Sequence, residues 1–163
     1  MPTTATHAAA APMLIFSMND QLVPEALKDL SHEQLWHALS DRNNSMLWVA
    51  GHIVQTRAMV LQMLGEPIDT GWGSLFDRGA TVGEPSRYPS GSEIERVSSD
   101  ISVKLRAALS ALTDEQLARP ASLQIPGVET LAGELAFFAL HDSYHVGQLA
   151  YIRKGLGYPG LVG

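Results

Sequence analysis

Apolar side chains return at three- and four-residue steps along most of the chain, the period of an α-helix with one buried face. The first such run begins at Pro12, with Leu14, Met18, Leu22, Ala26, Leu27 and Leu30 on its stripe. Pro12 suits a first helical turn, whereas Pro24, inside the run, predicts a kink or a restart. In LSHEQLWHAL, Ser31 and Gln34 have the spacing of a capping box, so a short helix is expected there. The turn-forming run DRNNS at 41–45 then opens a second long helix from Met46 to Leu64, which Gly65 ends and Pro67 keeps from resuming. A third long helix is expected from a capping pair at Ser92 and Glu95. Its stripe is Ile94, Val97, Ile101, Leu105, Ala108 and Leu112. LTDEQL starts another short helix, residues 120–127 form a loop, and a fourth long helix runs from Thr130 to Lys154 or Gly155.

Strand patterns are missing from this reading: no alternating run of Val, Ile or aromatic residues is long enough, so the fold class is all-α. LSHEQL (30–35) and LTDEQL (112–117) each stand between two long helices. The echo fits two ordinary helix starts or a pseudo-twofold four-helix bundle of two hairpins. Residues 65–91 are rich in Gly and Pro and lack periodicity. A connection this long in a compact domain suggests a lid or one edge of a site, anchored by Trp72, Leu75 and Phe76. Residues 1–11, small and polar, are expected to be frayed and flexible. The 163 residues are expected to form one domain.

Composition narrows the function. Apolar residues are 45% of the chain, enough for a core, and mean hydropathy is +0.02. The net charge of −6 and the lack of a basic patch argue against nucleic acid and anionic membranes as partners. The absence of cysteine removes disulfides, thiolate–zinc sites, iron–sulfur clusters and a Cys nucleophile together. The Ala-rich start lacks the positive n-region of a signal peptide, and no stretch approaches the length of a membrane span. A cytoplasmic protein is the expectation.

Six histidines are present. His7, His32 and His37 share no helical face, but His141 and His145 leave the same side of the fourth helix one turn apart. That spacing presents two imidazoles to one metal. Glu134, Phe138 and Gln148 continue the stripe in a helix apolar enough to be mostly buried, so its polar groups need partners or an ion. The alternative is a hydrogen-bonded histidine pair in the core. His52 sits mid-way in the second long helix among apolar neighbours. Alone it reads as a core residue; facing the fourth helix, it completes three imidazoles with coordination positions left open. Such a set suits Zn, Ni or Fe(II).

NSMLWVAGHIV (44–54) and HDSYHVGQLAYIRKGLG (141–157) resemble the DinB-like family, bacterial four-helix-bundle metalloproteins that include damage-inducible proteins. The resemblance spans most of the chain and rests on the Gly-His of the second helix and the His-x-x-x-His-x-Gly-Gln of the fourth. It implies an up-down-down-up four-helix bundle with a long loop between helices 2 and 3. It also implies metal ligands at His52, His141 and His145, and a homodimer. Relatives include thiol-dependent S-transferases and isomerases, which implies a small-molecule thiol as a second cofactor.

Smaller expectations attach to other residues. Glu134 is a candidate fourth ligand or general base, and Tyr144 a candidate proton donor. Gln55 and Gln148 are candidates for orienting imidazoles or binding a cofactor. Arg57 and Arg153 could hold an anionic substrate or form surface salt bridges. Trp48, Trp72 and Phe76 could wall a pocket or simply pack in the core, and Gly147 suggests close helix packing first and room for a ligand second. Two functions result. In one, the protein is a divalent-metal-dependent transferase, isomerase or hydrolase in which the metal acts as a Lewis acid on a thiol or water. In the other, it is a non-enzymatic stress-response or binding module, dimeric, with a structural metal or none.

Overall fold

The computed structural model describes residues 7–162. Six α-helices are present among them: α1 His7–Leu27, α2 His32–Leu35, α3 Met46–Met63, α4 Gly91–Ser110, α5 Asp114–Leu117 and α6 Leu131–Gly155. The four long helices α1, α3, α4 and α6 form the bundle, and α2 and α5 are single turns in its connections.

Helix starts follow the capping residues. Ser31 and Thr113 make complete capping boxes with Gln34 and Gln116, as their spacing predicts. Ser45 caps α3 and Thr130 caps α6. The third long helix differs: Ser90, not Ser92, receives the Glu93 N–H, so α4 starts earlier than expected. Glu93 is thereby free to pair with Arg96 instead of closing a box with its cap. The first helix also begins early, at His7, and passes through Pro12 and Pro24 without a break. An interior proline costs about 3 kcal/mol. Around Pro24 that cost is offset by burial of Val23, Ala26 and Leu27, and nearer the start Ala9 and Phe16 are buried as well. Residues 1–6 lie outside the described residues, whereas 7–11, expected to be frayed, are helical.

Helix directions follow from side-chain meetings. Asn19 bonds Asp142 and Ser143 while Arg153 bonds the carbonyls of Ala26 and Lys28, so α1 and α6 run parallel. Met13 and Phe16 face Leu105 and Leu109, and Pro24 faces Ser92, so α1 and α4 are antiparallel. Met59 lies across from Phe138, and Val49 across from Ile152, so α3 and α6 are antiparallel. The order is up, down, down, up. Because α3 and α4 point the same way, the chain between them must travel back the length of an 18-residue helix, about 27 Å. The long 64–90 connection does this. It packs against the body through edge-to-face contacts of Trp72 with Phe76, Phe76 with Tyr88, and Tyr88 with Trp36. Among the described residues, no helix is long and apolar enough to cross a membrane.

Candidate metal centre

His52 projects from α3 and His141 and His145 from α6, into the space where these two helices face each other. One ligand atom of each lies within 4.8 Å of the others. His141 Nε2 is 3.4 Å from His52 Nε2 and 3.1 Å from His145 Nε2. Two nitrogens bound to one cation at about 2.0–2.1 Å sit about 2.8–3.4 Å apart for angles between a right angle and the tetrahedral one. The spacing therefore fits a shared ion.

The other ring nitrogens decide what the converging ones can do. The Phe76 carbonyl can only accept, so at 2.7 Å it holds the hydrogen of the neutral His52 ring on Nδ1, which leaves His52 Nε2 as a lone pair. Gln148 Oε1 accepts from His145 Nδ1 at 2.7 Å with the same consequence. His141 Nδ1 is buried without a partner. Lone pairs held a little over 3 Å apart repel unless a cation or a shared proton lies between them. Burial pushes the His141 pKa down to about 4, with His145 and His52 adding to the effect and Asp142 opposing it. His145 is also lowered, first by burial and then by His52, against the Gln148 bond. A metal ligand must be neutral, and this environment favours the neutral form of His141 and His145.

Trp48 stacks on the His52 ring from one turn earlier, 4.9 Å between centroids and 10° between planes. Gly51 lets Phe76 approach: a Cβ at Gly51 would lie 2.2 Å from that ring. A cleft of about 660 Å³ opens beside His52 and His141, walled by Met59, Phe76, Phe137, Phe138, Leu123 and Ile125. Gln55 lies in its wall, donating to the Gly73 carbonyl and accepting from Thr70, which ties the long loop to α3. A second cleft of about 890 Å³, beside Gln148, is lined by Tyr144, Gly147 and Tyr151.

The other candidate residues make contacts of their own. Glu134 is fully buried but lies outside the imidazole cluster; its Oε1 accepts from Ser122 Oγ and the Leu123 N–H. Arg57 is neither anion receptor nor surface residue. Its buried guanidinium bonds Asp142 through two nitrogens and also reaches Asp20 and Ser102. Those partners drive its pKa up against desolvation, the largest opposing effect. Arg153 caps the end of α1 through two carbonyls and lies over the Tyr158 ring. Tyr144 is 63% exposed and packs edge-on against His145. Nothing lies within 4 Å of a Cβ built at Gly147, so close helix packing does not explain that glycine. Sequence reasoning missed the Phe76 carbonyl, because a backbone acceptor in a loop leaves no side-chain signature.

This is a four-helix bundle with three imidazoles converging from two facing helices, open on one side to a largely apolar cleft. The chain belongs to the DinB superfamily, whose sequence pattern matches residues 16–149. In three dimensions it is similar to YfiT from Bacillus subtilis, described as a probable metal-dependent hydrolase with an unusual four-helix bundle topology. That likeness has a TM-score of 0.68 at 18% identity, covering 93% of this chain and 89% of that one. A conserved protein from Enterococcus faecalis is also similar, with a TM-score of 0.70 at 13% identity, covering 88% and 94%. At these identities the likeness speaks for the fold. No curated protein matches the sequence.

Proposed function

We propose that His52, His141 and His145 hold one divalent cation, zinc or nickel first and iron(II) next, and that the protein is a metal-dependent hydrolase or S-transferase. The observation that carries this reading is the convergence of three Nε2 atoms, two of them fixed as lone pairs by their Nδ1 bonds. A cation held there would supply Lewis acidity toward a water or a small-molecule thiol. The chain does the rest. Phe76 and Gln148 orient two of the rings, Trp48 shields His52 from one side, and the cleft beside His141 receives the electrophile. No cysteine is available, so any nucleophilic sulfur comes from a small molecule.

Metal analysis of the purified protein tests this. The wild type should carry about one equivalent of zinc, nickel or iron, and His141→Ala should lose it while keeping its helical circular dichroism. Full metal content in that variant would remove the premise.

A homodimer is proposed through the outer face of α6. Leu140, Tyr144 and Tyr151 are 67%, 63% and 71% exposed there, with Ala136 and Gly147 on the same face and Lys154 at its end. Light scattering should give twice the chain mass, and Leu140→Glu the mass of one chain. A monomeric wild type would exclude the dimer.

A further inference from the structure

We infer that the cleft beside the three imidazoles takes a substrate with a metal-binding head and an apolar alkyl or aryl body, and that Glu134 positions the wall that selects that body. The inference rests on the metal-centre reading above.

The cleft has two walls. Met59 comes from α3 and Phe137 and Phe138 from α6; opposite them Leu123 and Ile125 stand on the segment between α5 and α6. Met59 and Leu123 remain 44% and 41% exposed, large apolar side chains with cleft space in front of them. Gln55 donates to the Gly73 carbonyl and accepts from Thr70, bonds that turn its amide toward the long loop. Asp69, Asp77 and Arg78 are exposed and belong to the long loop, which places charge at the mouth of the cleft. An apolar body therefore fits the interior, and a charged tail fits only outside it.

Leu123 sits in irregular chain that needs an anchor. Paired backbone bonds close its base, Ala121 N–H to the Glu129 carbonyl and Leu131 N–H to the Arg119 carbonyl. The tip is tied by Glu134, whose Oε1 accepts the Leu123 N–H at 2.6 Å and the Ser122 hydroxyl at 3.0 Å. Glu134 is fully buried and its Oε2 has no partner, a costly arrangement for a carboxylate. Holding the wall is a role that explains it. Glu134 and His141 are two turns apart on one helix, so the wall and the centre keep a fixed separation.

The test uses the full chain loaded with cobalt(II), whose visible spectrum reports ligand exchange, titrated with acetohydroxamate and octanohydroxamate. Octanohydroxamate should bind tighter by about tenfold or more, since each buried methylene favours transfer out of water. Leu123→Ser and Glu134→Ala should each cut that ratio severalfold. Glu134→Gln keeps the accepting oxygen and should restore it, and Leu14→Ser, at an exposed position of α1 outside the cleft lining, should leave it at the wild-type value. Equal affinities for the two probes would overturn the inference alone, as would wild-type ratios in both Leu123→Ser and Glu134→Ala. A chain that takes up no cobalt would overturn the metal centre and this inference together.

Discussion

Gly51 precedes His52 in α3, and the Phe76 ring occupies the place where a side chain would begin. Gly51→Ala therefore has to displace Phe76, the residue whose carbonyl fixes the His52 tautomer. The expected cost is about 1–3 kcal/mol of stability by overpacking, together with weaker metal binding. Gly147 is the opposite case. Its hypothetical Cβ meets nothing within 4 Å, so Gly147→Ala should stabilise by up to about 1 kcal/mol through helix propensity alone. Urea melts of the two variants, with a zinc titration of the first, check the pair of signs. The three histidines were legible because a four-residue step on a helix fixes a common face whatever surrounds it. What polarises them was not legible: Phe76 acts through its backbone, and Gln148 was one of two equally placed amides. Glu134 shares the stripe of the pair, yet loop geometry that no periodicity encodes turned its carboxylate to Leu123.

Among the elements, α3 and α6 carry the whole cluster, and their register is held by a buried ion pair one layer away. Arg57 bonds Asp142 at 2.8 and 2.9 Å, and Asp142 is the residue after His141. Asn19 on α1 and Ser102 on α4 join the same network, so all four long helices meet in it. Arg57→Met should destabilise by about 3–5 kcal/mol, since it strands Asp142 without its cation. Arg57→Met with Asp142→Leu should cost less than the sum of the two single changes, because the second removes the carboxylate the first left unpaired. A double-mutant cycle in urea measures this, and strict additivity would mean the pair is not coupled. Sequence patterns could not reveal it, because a charged residue inside an apolar run carries no mark of a partner 85 positions away. Helix starts were far more readable, being set within four residues by Ser31, Ser45, Thr113 and Thr130. The misplaced cap at Ser90 shows the limit: Ser90 and Ser92 are each three residues from a glutamate, and local chemistry does not choose between them.

For the whole molecule, periodicity yields four long helices but not their directions. The up-down-down-up order depends on the 64–90 connection spanning the bundle, which the chain's resemblance to a family implied and its hydrophobic pattern did not. That arrangement buries His52, half-buries His141 and His145, and so links stability to pH. In the native state His141 takes a proton only near pH 4, whereas in the unfolded chain it does so near 6.5. Between these values the unfolded chain binds more protons, so stability is greatest above about pH 6.5 and falls as pH drops toward 4. His145, lowered in the same sense, adds to the slope. The metal-free protein should therefore melt at a lower temperature at pH 5 than at pH 7, and His141→Phe should flatten the difference. Zinc at about a hundred times its dissociation constant should add about 2.7 kcal/mol, which a chelator removes. Calorimetry of the metal-free protein at pH 5 and 7, and with zinc at pH 7, checks both the slope and the increment. A metal-free protein equally stable at pH 5 and 7 would show that His141 is solvated, and no zinc increment at pH 7 would show that the three rings hold no metal.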